Sequence, residues 1–192
     1  MSESIVPERI QELTSSCVEY VARAVGMVLD FTPDSLAVLD HYARTVRKEL
    51  ERNPALGGVV APALGAYFGE VVRVRLDGFW QLPSANQHDW SVCSRAVYVA
   101  INPIGVGYDA LYGGEEHGGP RSTLRVAPED REFLDRRLET LPPVGEEDYF
   151  SFTTRFEVLE VVSESLSAKM EEEGYGGTRY SEDDYRLDYG PS

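Results

Sequence analysis

The chain has 192 residues and a net charge of −15, with 42% apolar and 27% charged residues. That length and apolar share suit one ordinary domain with a real core and exclude wholesale disorder. The acidity disfavours direct contact with phosphate backbones or anionic membranes; a basic protein partner, or simple solubility, fits it better.

The charge is uneven. Residues 1–126 hold 15 acids against 11 bases, whereas residues 127–192 hold 18 against 7. No apolar run is read as approaching the roughly 18 to 20 residues that span a bilayer. The opening residues lack the basic-then-apolar pattern of a secretory signal, so the expected setting is cytoplasmic. Cys17 and Cys93, the only cysteines, stand apart among apolar residues and read as buried thiols rather than a disulfide.

A first helix is expected from Pro7 to Met27, since Ile10, Leu13, Cys17, Tyr20, Val21 and Ala24 recur at spacings of three and four. Thr32-Pro33-Asp34 then reads as a helix start: a hydroxyl cap, a proline and an acid at the positive end of the dipole. Leu36, Leu39, Ala43, Val46 and Leu50 give that second helix its stripe, and Asn53-Pro54 stops it. Residues 61–80 form the organising stretch, a helix running into a strand. Gly57, Ala61, Gly65 and Gly69 repeat every four residues and stack into one smooth ridge. Helical glycine costs about 1 kcal/mol relative to alanine, so the ridge predicts another backbone packed unusually close. Glu70 and Arg73, three apart, can pair on this helix; drawn inward by the ridge, Glu70 would need Arg73 or Arg75 as a partner.

Phe79–Pro83 and Val92–Ile101 read as strands joined by the polar linker 84–89 into an antiparallel hairpin, with Trp80 as core. Residues 102–120 lose periodicity and read as a glycine-dense loop; 122–126 offer a short third strand. Ala127-Pro128-Glu129 starts another helix, and a last one spans Phe150 to Glu173. The expected fold is α+β, about five helices on a small antiparallel sheet of two or three strands. Residues 1–173 make one domain, and 174–192 an acidic, tyrosine-rich tail expected to be disordered.

Candidate chemistry is thin. Gly105, Gly107 and Ala110 match the dinucleotide fingerprint, but Pro103 interrupts the strand exit and no second parallel strand carries a ribose-binding acid; a flexible loop is preferred. His88, Cys93 and His117 lack any zinc spacing, and His41 sits on the second helix as a surface or boundary residue. No catalytic residue, metal or cofactor is expected. Trp90, Tyr108 and Tyr112 flank polar segments and are candidate contact residues, although Trp90 reads equally as core. In the tail, Tyr175, Tyr180, Tyr185 and Tyr189 are spaced by five, five and four among acids. A purely solvating acidic tail has few aromatics, so this pattern points to a segment that orders on a partner, rings buried and carboxylates facing a basic rim; the alternative is a tail that folds back on its own domain.

Leu29-Asp-Phe-Thr-Pro-Asp-Ser-Leu36, then Leu64-Gly-Ala-Tyr-Phe-Gly-Glu-Val-Val-Arg73, then Gly78-Phe-Trp80 resembles a pattern in small uncharacterised bacterial α+β proteins, in which a G-E-x-x-R helix leads into a G-x-W strand and a later strand meets an N-P or similar step. The likeness covers residues 25–105. It implies the fold and a bacterial, cytosolic setting, and adds no catalytic residue. The leading expectation is a non-enzymatic accessory protein acting through protein contacts: an adaptor, an immunity-type protein or a regulatory binder. The alternatives are a small-molecule or metal-binding protein or enzyme using the 102–120 loop with His88 or His117, and a structural subunit of a larger assembly.

Overall fold

A helix that is apolar on every side has no face to give to solvent and must be the middle of a core. Helix α3, Gly57–Arg75, is that helix: every residue from Val60 to Val72 is buried. Residues 54–75 are long and apolar enough to cross a bilayer, contrary to the sequence reading, but 78% of their apolar window is buried inside the protein. The structure, a computed structural model, describes residues 5–186. Around α3 lie α1 (Glu8–Val25), α2 (Leu36–Leu50), α4 (Pro103–Tyr112), α5 (Arg131–Leu138), α6 (Phe152–Glu172) and α7 (Glu182–Arg186). The strands are β1 (Gly78–Gln81), β2 (Ser91–Ser94), β3 (Val99–Ile101) and β4 (Leu124–Val126), paired antiparallel in chain order. The α+β class stands. The counts are corrected to seven helices and four strands among the described residues.

The glycine ridge does what its spacing predicts. A Cβ on Gly65 would stand 2.5 Å from the Pro103 carbonyl oxygen and 2.6 Å from the Ile104 Cα. One on Gly107 would run into the Ala61 carbonyl oxygen, and one on Gly69 into the Trp80 ring. Helices α3 and α4 therefore meet backbone to backbone. Helix α4 replaces the expected loop. Its start is fixed by Asn102, whose Oδ1 accepts the Gly105 N–H at 2.9 Å, and by Pro103 at the first turn. Its end is Gly113 at φ 62°, whose N–H reaches the Asp109 carbonyl at 2.8 Å. Burial of Ile104, Val106, Ala110 and Leu111 supplies the stability that its glycines withhold.

The apolar run 92–101 is likewise two strands instead of one. It breaks because the Ser94 hydroxyl accepts the N–H groups of Ala96 and Val97, at 3.2 and 3.5 Å, and turns the chain. In the resulting sheet, Trp80, Val92 and Ile101 face the helical core, whereas Phe79, Cys93 and Ala100 belong to a second cluster on the opposite face. Helix α6 is tied to α2 by a cap from another element: Asp40 accepts the N–H of Phe152 at 2.6 Å and both the N–H and hydroxyl of Thr153. Burial pushes the Asp40 carboxyl upward, and these hydrogen bonds oppose that push.

Two alanine substitutions separate the two kinds of helical glycine. Gly65→Ala forces α3 and α4 apart and is expected to destabilise the protein by about 2 kcal/mol or more, within the range for overpacking. Gly58→Ala, where a Cβ meets nothing within 4 Å, is expected to stabilise by about 0.5 kcal/mol through the unfolded chain. Urea denaturation of both variants checks the contrast.

Candidate functional site

Four places in the fold concentrate polar or aromatic side chains, and three of them resolve into structure. The first is Glu70 on α3. Its Oε1 accepts the Trp80 indole N–H at 2.6 Å and the Arg73 Nε at 2.9 Å, while its Oε2 takes the second guanidinium nitrogen at 3.0 Å. The pair is buried, with side-chain exposures of 10% for Glu70 and 18% for Arg73. Glu70 is thus fully partnered, and it pins strand β1 to the ridge. Arg75 is engaged elsewhere, with Glu160 at 2.7 Å.

The second is the cluster around His117. Asp109 on α4 accepts the Ser122 hydroxyl and lies 3.5 Å from His117 Nε2. The imidazole stacks on Tyr108 at a centroid distance of 5.1 Å and meets Tyr112 at a tilt at 5.3 Å, and its side chain is only 2% exposed. The carboxylate stands between serine and histidine, so the histidine cannot take the serine proton as a general base does in a nucleophilic triad. The cluster instead clamps residues 113–122 onto α4. Tyr108 and Tyr112, expected at a contact surface, are packing rings here, with the Tyr112 hydroxyl end filling the space beside Gly57.

The third is the neighbourhood of His88 and Cys93. His88 is exposed and lines a cavity of about 130 Å³ with Asn102, Thr123 and Arg125. Cys93 is buried beneath the C-terminal segment. His88, Cys93 and His117 share no hydrogen bond or ion pair with one another. Among the described residues no group of three or more His, Cys, Asp or Glu is placed to hold a metal ion. Gly105 and Gly107 lie inside α4, where a Cβ on Gly105 would run into the Arg121 backbone, so their service is close backbone approach. Of the two readings of Trp90, contact residue and core, the structure places it in the core. It is 1% exposed, with its indole N–H on the Ser84 carbonyl at 2.9 Å. His41 is exposed, and both cysteines are free and buried.

The fourth place is the segment 174–186, and here the structure departs most from expectation. It crosses the outer face of the sheet as a strap. Its N–H groups are used: Tyr175 donates to Met170 at 2.7 Å, Thr178 to Tyr175 at 2.9 Å and Tyr180 to Arg95 at 2.9 Å. Asp184 accepts both the N–H and hydroxyl of Ser181 at 2.7 Å at the start of α7. Arg179 pairs with Asp77. Tyr185 is the anchor, fully buried against Phe79, Cys93 and Ala100. Its hydroxyl donates to the Ser94 carbonyl at 2.7 Å, with the Val97 and Val99 carbonyls at 3.0 and 3.1 Å, and accepts the Val99 N–H at 3.1 Å. Burial pushes its phenol well above the ordinary tyrosine range, so it stays a neutral donor. Tyr185 is therefore core rather than contact surface. The expected disorder after Gly174 is corrected for the described part of the tail, because a phenol that meets this many backbone groups offsets the charge around it. Tyr189 lies outside the described residues.

Beside the strap opens a cavity of about 260 Å³, lined by Tyr98, Tyr175, Tyr180, Leu166, Met170 and Thr178, with Glu129, Asp130, Lys169 and Glu173 around it. Tyr98 stacks flat on Tyr185 at 4.6 Å and meets Tyr180 edge-on at 5.5 Å. Lys169 is committed: its ammonium sits 2.5 Å from Asp130 and 3.8 Å from Glu173, over the Phe133 ring. Sequence reading flagged Tyr175 and Tyr180 but missed Tyr98, Glu129 and Glu173, because nothing in local spacing brings residues 98, 129 and 175 together.

Burial pushes the Cys93 thiol up to about 11, so it is expected to resist thiol reagents at pH 8 in the native protein. Tyr185→Ala removes a buried aromatic side chain worth about 3 kcal/mol, which raises the Cys93 labelling rate about a hundredfold through strap opening. Cys17, inside the helical core, stays slow in both proteins. Timed labelling with mass readout distinguishes the two thiols.

No family model matches this chain, and neither a curated protein nor a solved structure matches it.

Proposed function

We propose that this is a non-enzymatic binding protein of the adaptor or regulatory kind, and that the groove beside the strap receives a lysine or arginine side chain from a basic protein partner. The observation that carries the reading is the lining of the groove: three tyrosine rings and three carboxylates against one ammonium. Tyrosine faces attract cations through the ring quadrupole, by about 0.5 to 2 kcal/mol depending on desolvation. Lys169 lies 2.5 Å from Asp130 and 3.8 Å from Glu173, and its one positive charge against three carboxylates leaves the groove with a net negative charge. Glu129 is exposed and Tyr175 is 63% exposed, so both are open to a partner. A volume of about 260 Å³ lies below the usual range of about 300 to 1,000 Å³ for small-molecule pockets, which favours a single side chain over a whole metabolite. The net charge of −15 supports the same choice of partner by steering basic surfaces toward the molecule. A bacterial, cytosolic setting belongs to this proposal through the resemblance in residues 25–105.

The test is an NMR titration of the tyrosine ring resonances with the peptide acetyl-Gly-Lys-Gly-amide and its glutamine counterpart. The lysine peptide is expected to shift Tyr175 and Tyr180 saturably, and the double variant Glu129→Gln, Glu173→Gln to weaken it about tenfold, as loss of two part-screened charges predicts. Equal responses to the two peptides, or none, contradict the proposal. Ring shifts centred on Tyr108 and Tyr112 would contradict it as well.

A further inference from the structure

The groove has two walls of different origin. One is fixed: Leu166, Lys169, Met170 and Glu173 belong to α6 and the residues just after it, and Glu129 and Asp130 to the turn before α5. The other is Tyr175, Thr178 and Tyr180, and belongs to the strap. A second cavity of about 180 Å³ lies along the same stretch, lined by Ala96, Ser167, Met170, Glu171 and residues 176–179. Residues 175–179 therefore line two cavities, and the φ of 85° at Gly174 breaks the chain away from α6. Besides the Tyr175 N–H on the Met170 carbonyl, the Tyr180 N–H on the Arg95 carbonyl and the Arg179–Asp77 ion pair, this half of the strap is held by the other half. Tyr185, which does not line the groove, grips the sheet through its ring and hydroxyl; Tyr98 stacks on it, and Tyr180 meets both rings edge-on.

We propose that Tyr185 is the lock of a switchable binding face: the cation groove exists only while the strap is docked, and an entering lysine or arginine side chain holds the strap down in return. Resting on the groove reading above, this deepens it by naming Tyr185 as the positioning residue and the strap as the regulated element. The coupling is reciprocal by thermodynamic necessity. A cation that binds only the docked strap has an apparent affinity reduced by the docked fraction, and it raises that fraction by the same factor. Anything that extracts Tyr185 switches the face off by withdrawing the ring on which Tyr98 stacks and Tyr180 abuts.

The experiment uses the full chain and reads two quantities on each of three proteins: the native one, Tyr185→Phe and Tyr185→Ala. Exchange of the Tyr180 amide, which donates to the Arg95 carbonyl at 2.9 Å, reports docking. Titration with acetyl-Gly-Lys-Gly-amide, at constant ionic strength set with sodium chloride, reports the groove. The expected order is native, then Tyr185→Phe, then Tyr185→Ala in both amide protection and peptide affinity. The alanine variant is expected to bind at least about tenfold more weakly, and saturating peptide to slow Tyr180 exchange in the native protein. Slow labelling of Cys17 certifies that the helical core of each variant is intact. Tyr185→Ala with faster Tyr180 exchange but unchanged peptide affinity overturns the lock and leaves the groove reading standing. Unchanged Tyr180 exchange in Tyr185→Ala also overturns it. Failure of the peptide to bind the native protein removes both readings.

Discussion

The architecture depends on two backbones being allowed to touch. Gly65 on α3 and Gly107 on α4 leave no Cβ between the helices, so Pro103 and Ile104 settle directly onto the ridge. That contact fixes where β3 ends, because Asn102 must cap α4 immediately after Ile101, and where β1 begins, because Gly69 admits the Trp80 ring beside the same ridge. Glu70 then closes the corner, taking the Trp80 indole and the Arg73 guanidinium in one buried arrangement. Removing one partner of such a group leaves a buried polar atom unsatisfied, which costs more than forming the pair gains. A carboxylate that looks like a candidate for chemistry is thus spent on holding a strand to a helix.

The sheet that hangs from this corner has one face on the helical core and one face left over. Phe79, Cys93 and Ala100 on the second face would be exposed without a cover, and the strap supplies it. The polypeptide solves a packing problem with residues that composition marks as solvated. Acids such as Glu182 and Asp183 stay exposed while Tyr185 alone goes in. The same arrangement gathers three aromatic rings and an excess of carboxylates at the strap's edge, and the proposed function rests on that by-product of covering the sheet.

How far the sequence revealed this differs by element for physical reasons. The ridge of Gly65 and Gly69 was legible because four-residue spacing maps onto one helix face, although at Gly69 the close neighbour is an indole ring rather than a backbone. Helices α1 and α2 were legible from their periodic stripes. Helix α4 was not, since its stability comes from burial against α3, and the glycines that permit that burial erase the local helical signal. The break between β2 and β3 was missed because a serine hydroxyl makes the turn in place of glycine or proline. Of the site, Tyr175 and Tyr180 were visible as a pattern, and so was the choice between a tail that binds outward and one that folds back. Tyr185 shows the folding back, which only the three-dimensional position of the Ser94–Val99 carbonyls could reveal.

Residues 174–186 pack on the sheet as part of the folded domain, and Tyr175, Thr178 and Tyr180 line the groove. The most direct measurement is a nuclear Overhauser map of the aromatic side chains in solution. The account predicts cross-peaks from Tyr185 to Tyr98 and Phe79, and from Tyr98 to Tyr180, with Tyr185 shifted away from random-coil values by ring stacking. Sharp random-coil resonances for Tyr175, Tyr180 and Tyr185, without cross-peaks to the sheet, would contradict it.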